Sequence, residues 1–195
     1  MRTQRAFRIK EKIRKATLDL LRESDPKRIR IADIAKAARV SQVTIYNYFG
    51  SKEELLRDVF KHYVDKASRQ FEAFINEGHT LKEKIEYLLI QKRAAMAEFP
   101  PRLIKEMLTE DPELARYLEQ RYKEKSLPLT LRLIREGRES GEISEDVSDE
   151  SVLVLMQLYM NQYETILGMA EQSGDTDAFF RGLVHMFFYG ICGKP

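Results

Sequence analysis

Between Val40 and Glu54 the chain sets out side chains of the types that read duplex DNA. Gln42, Val43, Tyr46 and Asn47 stand at offsets 0, 1, 4 and 5, which places them on one side of a short helix. Gln and Asn can each bond an adenine edge through two atoms, and a small apolar group can cover a thymine methyl. Thr44 and Tyr48, four apart, flank that side within reach of phosphates. Lys52 and the amides that follow Ser51 add a cation and a helix N-terminus, both suited to phosphate. Ile45 and Phe49 are also four apart and are expected to face inward, against Ile34 and Ala38. The alternative is ordinary packing of Val43, Ile45, Tyr46, Tyr48 and Phe49. A helix this short cannot bury all five and still lie at a surface, so the DNA-reading face is preferred.

No comparable constellation supports catalysis. His62, His79 and His185 are scattered, with no HExxH and no Cys/His cluster of metal-ligand spacing. There is no GxGxxG and no GxxxxGK[ST], and Gly137-Arg138-Glu139-Ser140-Gly141 lacks the strand-to-helix setting of a nucleophile elbow. The expectation is a non-enzyme without metal or cofactor.

The elements that hold the DNA-reading residues are helices. Ile9, Ile13, Ala16 and Leu20 form one stripe of an amphipathic first helix, ended by Asp25-Pro26. Two short helices follow, over 32–38 and 42–48, joined by a break at Val40-Ser41; those are the proportions of a helix-turn-helix. Ser51-Lys52-Glu53-Glu54 reads as a capping box opening a long helix to Glu77, and Thr80-Leu81-Lys82-Glu83 as a second one. Asp111-Pro112 starts a helix expected to reach Ser140 with a bend at Pro128. Ser148 and Asp175 cap the last two, to about Met169 and Ile191. The fold class is all-α, with about nine helices. Residues 1–51 form an N-terminal helix-turn-helix domain of three helices packed on the start of the linking helix 52–77. Residues 52–195 form a helical effector-binding and dimerisation domain.

The 195 residues are 43% hydrophobic and 33% charged, a globular balance. The net charge of +2 hides a gradient. Residues 1–60 carry 15 Lys/Arg against 8 Asp/Glu, and the remainder 18 against 23. A basic first third on an acidic remainder suggests a polyanionic partner, although charge alone leaves a solvated basic face equally open. One cysteine, Cys192, excludes an internal disulfide. The longest apolar run, Val152 to Met156, is far short of the roughly 18 residues of a membrane span. With no secretory h-region at the N-terminus, a cytoplasmic location without membrane partner is expected.

The run from Ile34 to Leu55, IAKAARVSQVTIYNYFGSKEEL, resembles the signature of the TetR family of bacterial transcriptional regulators. The likeness lies in the IA-x-x-A, V-S-x-x-T-I-Y-x-x-F and S-K-x-x-L elements and covers about residues 5–60. It implies an all-α homodimer, an operator-binding N-terminal domain and a C-terminal domain whose small-molecule effector usually releases DNA. By that likeness Gln42, Val43, Thr44, Tyr46, Asn47, Tyr48 and Lys52 fall on DNA-touching positions. The sequence departs from the pattern twice. Arg39 stands where the family has Gly in the turn, so a positive φ there carries modest strain. Arg30 and Ile31 replace the Ser/Thr that caps the second helix, and Arg30 is expected to offer a phosphate its charge instead.

Beyond the signature, the helices at about 148–169 and 175–191 are apolar nearly all round. Such helices need cover on every side, and a second copy packing them into an intermolecular bundle supplies it. Candidate effector-lining residues are Phe71, Tyr87, Met96, Phe99, Met107, Tyr117, Tyr159, Met160 and Tyr163, with Gln91, Gln157 and Asn161 as polar groups on apolar faces. The expected function is a regulator, typically a repressor, released from a palindromic operator by a bulky apolar effector. The alternative is a DNA-binding regulator without a small ligand, constitutive or controlled by a protein partner.

Overall fold

The structure, a computed structural model, describes residues 2–99 and 101–192. Among them every regular element is helical. Helix α1 (Arg2–Glu23) is followed by α2 (Ile31–Ala38), α3 (Gln42–Phe49) and the 24-residue α4 (Lys52–Ile75). Then come α5 (Leu81–Glu98), α6 (Pro101–Glu110) and α7 (Pro112–Arg121). A π-helical turn, Tyr122–Ser126, leads directly into α8 (Leu127–Glu139). Helices α9 (Asp149–Asn161), α10 (Tyr163–Gln172) and α11 (Thr176–Cys192) complete the chain.

The chain divides into two compact units, residues 1–67 with 93–117, and residues 68–92 with 118–195. In the first, Ile13 of α1, Ile34 of α2, Ile45 of α3 and Leu55 of α4 are fully buried and form a dry centre. Thr17 is buried among them and donates its hydroxyl to the Ile13 carbonyl at 2.8 Å, so it leaves no unpaired donor. Arg14 grips both carboxylate oxygens of Asp58, at 2.6 and 3.0 Å, and ties α1 to α4. Phe99 packs edge-on against Phe60 and Tyr63, each at 5.0 Å. In the second unit Ile75, Leu81, Ile85, Leu133, Ile134, Ile143 and Val152 make the core. Gly137 lets side chains approach closely there: an added Cβ would lie 2.7 Å from a Leu81 methyl carbon and 3.0 Å from Cδ1 of Ile143, which would have to shift.

The helix starts form as their cap residues dictate. Thr80 and Glu83 make a full capping box, with reciprocal bonds of 2.8 and 3.2 Å. Ser148 and Asp175 cap α9 and α11 through the amides of Ser151 and Ala178. At Ser51 only half of the expected box forms. The Ser51 hydroxyl accepts the Glu54 amide at 3.0 Å, but the Glu54 carboxylate turns to Arg57 at 2.8 Å. The bend expected at Pro128 is a π turn just ahead of it. Proline has no N–H and its ring crowds the preceding turn, and the Leu127 amide bonds the Tyr122 carbonyl five residues back. The single helix expected from Ser148 to Met169 is broken at Gln162, immediately before the buried Tyr163.

Candidate nucleic-acid interface

Helix α3 shows the two faces its spacing predicts. Ile45 is fully buried and Phe49 nearly so, while Val43 is 66% and Tyr46 48% exposed, with Gln42 and Asn47 exposed beside them. Thr44 and Tyr48 are half-buried at the margin. The short turn before α3 depends on backbone chemistry. Arg39 takes φ 53° and ψ 49°, a left-handed conformation. The Arg39 amide bonds the Lys36 carbonyl at 3.2 Å and the Val40 amide bonds the Ala35 carbonyl at 3.0 Å, closing α2 as a Schellman turn. An arginine here carries the strain a glycine would avoid. Ser41 then caps α3, accepting the Thr44 amide at 3.1 Å and sharing a 2.8 Å bond with the Thr44 hydroxyl.

The cations around α3 are placed differently from one another. Lys52 donates to the Pro26 carbonyl at 2.6 Å, so its ammonium closes the turn before α2. Arg30 is the residue preceding α2, and its guanidinium lies in the fork of Asp33 at 3.2 Å to each oxygen. That bond, with the Arg30 backbone amide, holds the Asp33 carboxyl below its ordinary range. A charged pair thus replaces the Ser/Thr cap, and the Arg30 side chain, although paired with Asp33, stays exposed. Lys10 lies over the Phe49 ring, 5.5 Å from its centroid. Beside α3, Arg5, Ala6 and Ile9 of α1 face Thr44, Asn47 and Tyr48 across an open cleft.

A second feature lies within the unit of residues 68–92 and 118–195. A cavity of about 40 Å³ is lined by Ile85 and Leu88 of α5, Met156, Tyr159 and Met160 of α9, Tyr163 and Ile166 of α10, and Phe180, Leu183, Val184 and Phe187 of α11. Of the candidate lining residues, Tyr159, Met160 and Tyr163 meet there. The others are elsewhere. Phe71 and Tyr87 stack at 6.1 Å outside the lining, and Tyr87 also stacks on Phe74 at 4.0 Å. Phe99 belongs to the core of the first unit. Met107 is half-buried on α6, and Tyr117 donates its hydroxyl to Asp65 at 2.6 Å, both also in that unit. Gln91 is half-buried on α5 and is not in the lining. Gln157 and Asn161 are exposed and bond each other at 2.7 Å, because they lie on the outer face of α9. The Met96 side chain lies outside the described residues.

The lining residues missed from sequence did leave a signal. Positions 156, 159, 160 and 163 repeat at offsets 0, 3, 4 and 7, and so do 180, 183, 184 and 187. The opposite faces of the same helices carry exposed Val154 and Leu158, and exposed Met186 and Tyr189. Near-uniform apolarity hid the difference between the cavity-lining face of each helix and its exposed face.

Comparison with known proteins bears on both features. Residues 13–59, which contain α2, α3 and the start of α4, match the family of bacterial regulatory proteins of the tetR family. Over 193 residues the chain is 26% identical to the fatty acid metabolism regulator protein of Bacillus subtilis (strain 168), covering 92% of this chain and 93% of that one. It is 43% identical over 47 residues to the HTH-type transcriptional regulator LuxR of Vibrio harveyi, covering 24% of this chain and 21% of that one. The fold is that of the transcriptional regulator FadR from Bacillus subtilis solved in complex with stearoyl-CoA, with a TM-score of 0.67 at 24% identity over 93% of this chain and 98% of that one.

Proposed function

We propose, from the premise that this chain belongs to the TetR family of bacterial regulatory proteins through residues 13–59, that it is a homodimeric repressor reading a palindromic operator and released by a long-chain acyl effector. The observation that carries the DNA half is the outward face of α3. Gln42, Val43, Tyr46 and Asn47 project where Ile45 and Phe49 are sealed. An exposed valine and tyrosine between two amides are costly in water alone and useful against base edges and thymine methyls. Thr44, Tyr48 and the amides after Ser51 would then meet phosphate, and Lys52 would do so by exchanging the Pro26 carbonyl for one.

Operator reading by such a domain calls for two copies whose recognition helices stand roughly 34–36 Å apart. Exposed Val154 and Leu158 on α9, and Met186 and Tyr189 on α11, suit the copy-to-copy contact. Residues 1–51 with the start of α4 would serve as the DNA-binding domain, and residues 52–195 as the sensing and dimerising one.

The effector half rests on the apolar cavity and on the stearoyl-CoA complex of a protein with the same fold. At about 40 Å³ the cavity is too small for a hydrocarbon chain. A chain can enter only by moving side chains of α9, α10 and α11, with Met156 and Met160 the most adaptable. A ligand that must spread those helices has a built-in preference for one state, which is what a shift in operator affinity requires. The same small volume favours a second reading, a regulator that takes no small ligand.

Selection of bound sequences from a random duplex pool tests the DNA half, with an inverted repeat as the expected result. Tyr46→Ala should lose the selected sequence by about 1–3 kcal/mol while keeping non-specific binding. Absence of any enriched sequence at low salt would reject this reading. Stearoyl-CoA added to the protein–operator complex should release the DNA. Release by no acyl-CoA, with operator binding intact, supports the ligand-free regulator instead.

A further inference from the structure

We infer that Arg5 is a phosphate anchor: across an open cleft from Thr44 and Tyr48, it grips the backbone strand running beside α3. The inference rests on the reading of α3 as the groove-inserted helix. It begins with the stripe of α1. Ile13 and Ala16 are buried and Ile9 is half-buried, all facing the centre of the unit. One step further toward the N-terminus, four residues before Ile9, the stripe should continue with an apolar residue. It has Arg5 instead, and Arg5 is exposed. The stripe has there run past the end of its packing partner, and what lies opposite is the open cleft.

The cleft has two walls of complementary character. On one stand Arg5, Ala6 and Ile9; on the other stand Thr44, Asn47 and Tyr48. A helix lying in a major groove has a sugar-phosphate strand along each edge, so a strand beside α3 would pass through this cleft. The apolar atoms of Ala6 and Ile9 suit the sugar, and the guanidinium and the Tyr48 hydroxyl suit the phosphate oxygens. The Thr44 hydroxyl already shares a bond with Ser41, which leaves Arg5 and Tyr48 as the principal donors. A guanidinium can hold two phosphate oxygens at once, an arrangement an ammonium cannot copy.

The state of the neighbouring cations supports this assignment. Arg14 is held by Asp58 and Glu11, Arg30 by Asp33, and Arg57 by Asp111, Glu54 and Glu113. Lys52, at the other end of α3, is bonded to the Pro26 carbonyl. Among the described residues no carboxylate pairs with Arg5, nor with Arg8, Lys12, Lys36 or Arg39, and of these cations it is Arg5 that lines the cleft, so it meets DNA without first breaking an ion pair.

The test uses the full chain, a selected duplex and a scrambled duplex of equal length, titrated over a range of salt. Arg5→Ala should weaken both duplexes by the same factor, about five- to tenfold near 0.1 M salt, and lower the slope of log affinity against log salt by about one. Arg5→Lys should keep the slope and regain only part of the affinity. Ethylation of one phosphate in each half-site should interfere with the wild type and not with Arg5→Ala. An unchanged slope in Arg5→Ala, with wild-type binding intact, overturns the inference. So does a loss confined to the selected duplex, which would put Arg5 on a base. A wild type indifferent to both duplexes overturns the reading of α3 and this inference with it.

Discussion

Both compact units leave apolar side chains uncovered, but of different kinds. On α3 the exposed valine and tyrosine stand between two amides, with hydroxyls at the margin. Every one of those groups except Val43 can form a hydrogen bond, so the face suits a hydrated, polar partner. On α9, α10 and α11 the exposed residues include Val154, Leu158, Met169 and Met186, which have no strong donor or acceptor, and the amides beside them, Gln157 and Asn161, bond each other at 2.7 Å. That face suits a dry contact with another protein surface. The difference teaches that exposure alone does not name a partner; the hydrogen-bonding capacity of the exposed groups does.

Substitutions can break or sharpen that contrast, the largest expected effect first. Met186→Asp puts a charge into each half of the expected dimer contact. An uncompensated buried charge costs about 3–5 kcal/mol, so the dimer dissociation constant should rise at least about 100-fold by sedimentation. A dimer of unchanged strength would take α11 out of the interface. Ile45→Ala attacks the sealed side of α3. It should destabilise the first unit by about 2–5 kcal/mol in denaturant unfolding, while Val43→Ala on the open side should change stability by less than about 0.5. Equal costs would mean that α3 does not present the two faces described.

A smaller effect than that of Ile45→Ala lies in an ionic cluster of the first unit. Asp111 caps α7 through the amides of Glu113 and Leu114, each at 3.0 Å, and accepts from Arg57 at 2.6 Å. Burial pushes the Asp111 carboxyl up, but bonds from Arg57 and from those amides outweigh it and hold the group below its usual range. Its stabilisation is therefore present above the unfolded-state carboxylate pKa and fades as pH falls through the lower folded value. Asp111→Asn should cost under about 1 kcal/mol at neutral pH, after solvent screening, and flatten the acid limb of a thermal-melt series. An acid limb as steep as the wild type's would assign the loss to other carboxylates.

The division of α3 into a sealed and an open face was legible because it depends on local order. Gln42 to Phe49 is a two-turn helix, and helical spacing alone separates Ile45 and Phe49 from Tyr46 and Asn47. The caps at Thr80, Asp111, Ser148 and Asp175 were legible for the same reason, since each bond spans three residues or fewer. The cavity was read only in part. Tyr159, Met160 and Tyr163 came from one apolar stretch, whereas Phe99 and Tyr117 looked equally suitable and belong to the other unit. Aromatic character marks burial without saying in which core.

By itself, then, the sequence determined the all-helical class, the capped helix starts, and which side of α3 is turned out, because backbone capping and helical period act over a few residues. Only the tertiary structure decided that Lys52 serves the Pro26 carbonyl and that Arg5 overhangs a cleft beside Tyr48. Long flexible cations choose among acceptors that packing brings near, and for Lys52 and Arg5 those neighbours lie 26 and more positions away along the chain. No period or cap encodes that choice.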